Sequence, residues 1–249
     1  MPGRRTERRR GIVLDHTKLA EKDRIVTLLS LEGEQLRGVA KGARKPGGRL
    51  CARTERFCDV DVLLSYGRGL PIVSEAQIVD AHAGVRGELE RLAAASALCE
   101  VARLTCYENV SDPFLHPILD RALRAVEEAQ GRERLDLVVA AYAIKVLSHG
   151  GWRPELDACV SCGEPSATRF SVQAGGTLCE SCAKSVEGAE PVGELELGWM
   201  RALVGGTFDA LLASSPDAAT AGRLVGIAHA WAATHLDSRL RSMEFYVGT

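Results

Sequence analysis

Residues 24–42 read RIVTLLSLEGEQLRGVAKG, two apolar runs divided by the break LEGE. Dense β-branched and aliphatic residues on either side of a Gly-containing turn predict a pair of strands. In the second run, alternation puts Leu36 and Ala40 on one face and Arg37, Val39 and Lys41 on the other. Working outward, GIVLDHT (11–17), FCDVDVLLSY (57–66) and LPIVSEAQIV (70–79) have the same character. Five short strands within about 70 residues predict a small barrel, and an OB-like barrel is one five-stranded solution.

From about residue 86 the period changes. Leu92, Ala95, Cys99, Ala102 and Cys106 recur at spacings of 3 and 4, the apolar stripe of an amphipathic helix. Further helices are expected at 114–129, 132–149, 196–213 and 217–236, with Asp112-Pro113 starting the first of these. The fold class is therefore α+β in two domains: a barrel over 1–82 and a mainly helical part over 83–249, interrupted by an insertion at about 153–190.

Charge is uneven along the chain. Residues 1–53 hold 14 Lys/Arg and 6 Asp/Glu, a net of +8; the remainder holds 17 and 27, a net of −10. A basic head on an acidic body suggests a polyanionic partner for the head. RGVAKGARKPGGR (37–49) supplies Arg37, Lys41, Arg44, Lys45 and Arg49 with no acid between them, on a strand and the loop after it. Cations on an OB-like barrel and its adjoining loop are a footprint of nucleic-acid binding. Stacking platforms are scarce: before residue 81 the only aromatics are Phe57 and Tyr66. Phosphate contacts should then dominate, with little dependence on base sequence.

Four of the eight cysteines, Cys159, Cys162, Cys179 and Cys182, form C-x2-C-x16-C-x2-C. Two tight turns at this spacing can each offer two thiolates to one tetrahedral Zn2+, and Gly163 suits the first turn. Four thiolates leave no open position for water, so one structural zinc ion is expected rather than a catalytic one. Two redox-active pairs are the other reading of the same spacing. TRFSVQ and TLC flank Ala174–Gly176 as a hairpin between the pairs. Cys99 and Cys106 lie on the helix stripe and read as core.

No phosphate-binding Gly-rich loop, dinucleotide motif or HExxH helix is present, and the six histidines are scattered. A binding protein is expected, not an enzyme, and no catalytic residue is assigned. The most apolar run, LVVAAYAIKVL (137–147), is too short to span a bilayer and contains Lys145. With polar residues early in the chain, a cytoplasmic location is expected.

GIVLDHTKLAEKDRIVTLLSLEG, VAKGARKP and YGRGLPIVSEAQIVD, then WRPELDACVSCG, RFSVQAGGTLCESCA and LRSMEFY, together resemble the bacterial DNA repair family RecO in its zinc-containing form. The segments span nearly the whole chain in the family's order. The resemblance implies an N-terminal OB fold and a helical domain bearing a zinc finger. It also implies a non-enzymatic, nucleoid-associated recombination mediator that binds single- and double-stranded DNA and anneals complementary strands. Its implied partners are RecR, the acidic C-terminal tail of single-stranded-DNA-binding protein and, indirectly, RecA. On this resemblance Cys159, Cys162, Cys179 and Cys182 hold zinc, and Arg37, Lys41, Arg44, Lys45 and Arg49 meet DNA. Lys18, Lys22 and Arg24 in KLAEKDR are further DNA candidates, some of which can instead pair with Asp23 or Glu34. The alternative is a zinc-dependent nucleic-acid-binding regulator that docks through the cysteine knuckles, with help from Arg153, Arg169 and Lys184.

Overall fold

Period-two alternation produces five strands: β1 (Thr6–Lys18), β2 (Arg24–Ser30), β3 (Gln35–Ala40), β4 (Asp59–Ser65) and β5 (Ile72–Asp80). They are seen in a computed structural model that describes residues 5–214 and 216–248; the opening Met1–Arg4 of the basic head lies outside the described residues. The strands close in the order β1-β2-β3-β5-β4, with β1 paired to both β2 and β4. Only the β3–β5 pairing is parallel, through Val39–Ala40 against Ile72–Val73. This is the five-stranded OB barrel that the alternation predicts. Val13, Val26, Leu28, Ala40, Val60, Val62, Leu64 and Val73 fill its interior, while Arg37 and Lys41 stay outside.

By compactness the chain divides into two units: one runs up to Ala95 and includes Ala102–Glu127, the other joins Ser96–Val101 to Glu128 onward. α1 (Leu89–Thr105) is followed by α2 (Leu115–Glu128), whose Leu115, Leu119, Ala122, Leu123 and Val126 are buried. α3 (Arg132–His149) is apolar nearly all round and is the central helix of the second unit, packed by later helices.

Two expectations are corrected. β1 begins at Thr6 rather than near Gly11, because a run of arginines hides the strand pattern. Arg9 donates to Glu32 (3.0 Å) and Glu34 (2.6 Å), and Arg10 to Asp59 (2.7 Å). Part of the basic head is thus neutralised by the barrel itself. The helix expected over 196–213 is two, α5 (Glu194–Gly205) and α6 (Phe208–Ala213). Gly206 takes an extended ψ of 159°, Thr207 caps the second helix through the Ala210 N–H, and the Lys145 ammonium donates to the Val204 and Gly206 carbonyls. α7 (Ala218–His235) and α8 (Arg241–Gly248) complete the helices.

Asp59 is 1 % exposed at the start of β4. Burial alone would raise its carboxyl, but His116 (3.8 Å) and Arg10 hold it down at about 2. A carboxyl depressed in the folded state stabilises above its unfolded value near 4 and loses that contribution as pH falls through about 2. Asp59→Asn is expected to cost about 2 kcal/mol at pH 7, with the difference from native shrinking between about pH 4 and pH 2. Urea melts at several pH values would measure this, and an unchanged midpoint at pH 7 would refute it.

Candidate nucleic-acid interface and metal centre

The β1–β2 turn and the loop after β3 are tied together by short backbone contacts. Asp23 accepts from the Gly42 N–H at 2.8 Å, the Arg44 N–H donates to the Lys22 carbonyl at 3.0 Å, and the Arg44 guanidinium donates to the Ala20 carbonyl at 2.6 Å. Gly42 has a φ of +68°, which allows the chain to turn back at the end of β3. The result is an open depression of about 510 Å3 lined by Ala20–Asp23, Lys41, Gly42 and Lys45. Lys22, Lys41 and Lys45 are exposed around it together with the exposed acid Glu21 and the half-buried Asp23, which accepts from the Gly42 N–H, so cations outnumber acids there by three to two.

The other candidates are placed differently. Arg44 is exposed at one edge, with its guanidinium engaged. Arg37 is exposed on the outer face of β3, 4.0 Å from Glu108. Lys18 ends β1 in solvent and does not line the depression. Arg49 faces a second depression of about 480 Å3 with Arg8, Arg53, Asp61 and Glu75. Arg8 and Arg53 were not singled out by sequence; their arginine-rich neighbourhoods were the available signal. Arg24 is 5 % exposed, donating to Glu55 at 3.1 Å and to the Cys51 carbonyl. Its place inside the barrel wall suits a structural cation, not a ligand for an external anion. Glu34 pairs with Arg9 and not with the candidate cations.

The barrel offers little open aromatic surface, Phe57 being buried and Tyr66 half-buried. Phe57 is 2 % exposed with the Arg56 and Arg86 guanidinium groups over its ring, and Arg5 lies over Tyr66 at 5.9 Å.

In the second unit, β6 (Arg169–Ser171) and β7 (Gly176–Leu178) form the hairpin expected about Ala174–Gly176, and β8 (Glu190–Pro191) flanks β6. The first knuckle closes with the Gly163 N–H on the Cys159 carbonyl (2.8 Å), Gly163 having a φ of +77°. Val160 N–H on the Thr177 carbonyl (2.9 Å) fastens that knuckle to β7. Cys179 caps the short α4 (Glu180–Ala183), so the second pair sits on a helix start. All four Sγ atoms lie within 4.8 Å of one another, with Cys162 and Cys179 at 3.7 Å. A tetrahedron with metal–sulfur bonds of about 2.3 Å has edges of about 3.8 Å, so the donor set fits one metal ion.

Thiols this close cannot all ionise unaided. Backbone N–H groups, that of Cys179 foremost, bring Cys159 down to about 6. Cys162 receives the Glu164 N–H, yet the neighbouring sulfurs, Cys159 first, push it up to about 12. A divalent cation removes the conflict by neutralising the thiolates together.

Residues 4–82 match the family model described as recombination protein O N terminal, and residues 86–244 match the one described as recombination protein O C terminal. The chain belongs to the RecO family. RecO proteins are DNA repair and recombination mediators, and the barrel and the four-cysteine cluster fall respectively in the matched N-terminal and C-terminal parts. Among the described residues no helix is long and apolar enough to cross a membrane.

Proposed function

We propose that this chain is a non-enzymatic mediator that binds single- and double-stranded DNA through the barrel and anneals complementary strands. The observation that carries this reading is the convergence of Lys22, Lys41 and Lys45, in excess over Glu21 and Asp23, on one open depression of an OB barrel whose Phe57 is buried and Tyr66 half-buried. Such a surface holds the phosphate backbone and leaves bases free to pair. Arg37 and Arg44 extend it along β3 and its loop; Arg49 lines a separate depression, where Arg8 is paired with Glu75 and Arg53 donates to the Ala76 carbonyl; Lys18 is peripheral.

Residues 1–82 are the DNA-binding domain in this reading and 83–249 the helical domain, with a zinc finger over about 153–190. Cys159, Cys162, Cys179 and Cys182 hold one structural Zn2+ that braces the insertion and takes no part in bond making. Membership of the RecO family supports RecR, the tail of single-stranded-DNA-binding protein and, through them, RecA as partners, in the cytoplasm at the nucleoid. Knuckle docking has less support: Arg169 is held by Glu180 at 2.9 Å, and Glu164 and Glu187 are exposed on the same insertion.

The deciding experiment mixes complementary oligonucleotides, bare or coated by single-stranded-DNA-binding protein, with and without the chain. Annealing should accelerate at low salt and slow as salt rises; a rate equal to the protein-free control would reject the proposal.

A further inference from the structure

An exposed aromatic ring backed by a second ring stands in the helical unit. Trp152 follows α3 and is 49 % exposed, although it is held at several points. Its N–H donates to the Leu147 carbonyl at 2.8 Å, and its carbonyl accepts from the buried Trp231 indole at 3.0 Å. The His235 ring lies nearly parallel to the Trp152 ring, with centroids 4.7 Å apart and planes at 19°. His235 in turn packs on Trp231 at 4.4 Å, and burial pushes its imidazole below the usual range, which keeps the ring neutral near pH 7. The exposed indole is therefore backed on one side by His235 and stands on a backbone anchored at both its N–H and its carbonyl.

The surroundings discriminate among occupants. Gly150 and Gly151 precede Trp152 and put no side chain over it, and exposed Arg153 follows. A flat π-system joined to a phosphate meets an indole face and an adjacent cation.

We infer that Trp152 is a stacking platform for an unpaired nucleobase of single-stranded DNA, with Arg153 beside it for the adjoining phosphate. The inference rests on the DNA-binding reading above and adds a contact outside the barrel. Stacking tolerates any base, so the site gives a preference for unpaired bases without a preference for sequence.

The test compares binding of oligothymidylate with an abasic oligonucleotide of equal length and charge. The native protein should prefer the base-bearing strand by roughly 5- to 150-fold, the range for one stacked base. Trp152→Ala should lose most of that preference while keeping its affinity for the abasic strand, and Trp152→Phe should keep most of it. The Trp231 indole bonds only to the backbone at 152, so the substitution leaves that anchor in place. Intrinsic fluorescence gives a second readout that needs no alanine variant. Oligothymidylate should quench native emission more than the abasic strand does, and Trp152→Phe should abolish that difference. Equal preference in native and Trp152→Ala, or native binding to both strands alike, would overturn the stacking inference and leave the DNA-binding reading standing. Failure to bind either strand would overturn both.

Discussion

Replacing Cys159 with serine is expected to unfold the segment 153–190 and abolish stoichiometric metal binding. The apolar cluster of the insertion consists of Cys159, Leu178 and Cys179, with Ala174, Cys182, Ala183, Val186 and Ala189 packed on it. Even with buried Leu156, Phe170 and Leu178, a cluster made largely of cysteines and alanines buries too little surface to offset the conformational entropy of some forty residues, at roughly 1–2 kcal/mol each for the backbone. Zinc binding to sites of this kind contributes on the order of 10 kcal/mol and is folding free energy in such segments. Serine cannot supply the soft thiolate, and the three remaining sulfurs leave the tetrahedron open. Metal released per chain should fall from one equivalent toward zero, and protease cleavage should concentrate in the insertion. The helical core around α3 and α7 should persist, since buried Tyr142 and Leu224 lie outside the insertion. In native protein, metal retention should weaken as pH falls, because protons then compete with the metal for the four thiolates. A folded, protease-resistant Cys159→Ser variant, or native protein without metal, would refute the structural zinc assignment.

Local rules made some of this molecule legible in its sequence, and the misreadings share a cause. The cysteine pairs could be read because C-x2-C and a following glycine are constraints within one turn. The strands could be read because alternation is local. Closure of the barrel was an inference from strand number, since the parallel contact of Val39–Ala40 with Ile72–Val73 joins residues that nothing nearby links. Arg24 looked like its neighbours Lys18 and Lys22 until the fold brought Glu55 and the Cys51 carbonyl to it. Arg9 and Arg10 likewise counted toward a basic head before Glu32, Glu34 and Asp59 were seen to face them. Net charge over a segment overstates what a polyanion can reach, because partners distant in sequence neutralise part of it. Trp152 shows the converse: its stacking plane depends on His235, which arrives from α7.

Changing Lys22, Lys41 and Lys45 together to alanine is expected to weaken single-stranded DNA binding strongly at low salt and to flatten its salt dependence. The three lysines line one depression in which they outnumber the acids Glu21 and Asp23, while the Arg44 guanidinium is held by the Ala20 carbonyl. None of the three replaces a buried side chain, so the barrel should melt as the native protein does. Each phosphate neutralised on a single strand releases condensed counterions and contributes a slope of about 0.7 in log affinity against log salt. Loss of three contacts should therefore reduce the slope by about 2, with the two proteins converging as salt rises. Arg24→Ala makes the informative contrast. Removing that guanidinium should lower stability by leaving Glu55 and the Cys51 carbonyl without their donor, yet leave the slope of the folded fraction unchanged. Titrating a fluorescent oligonucleotide at several salt concentrations separates these outcomes. A native slope in the lysine triple variant would move the DNA path away from this depression, and the arginines around Arg49 would become its next location.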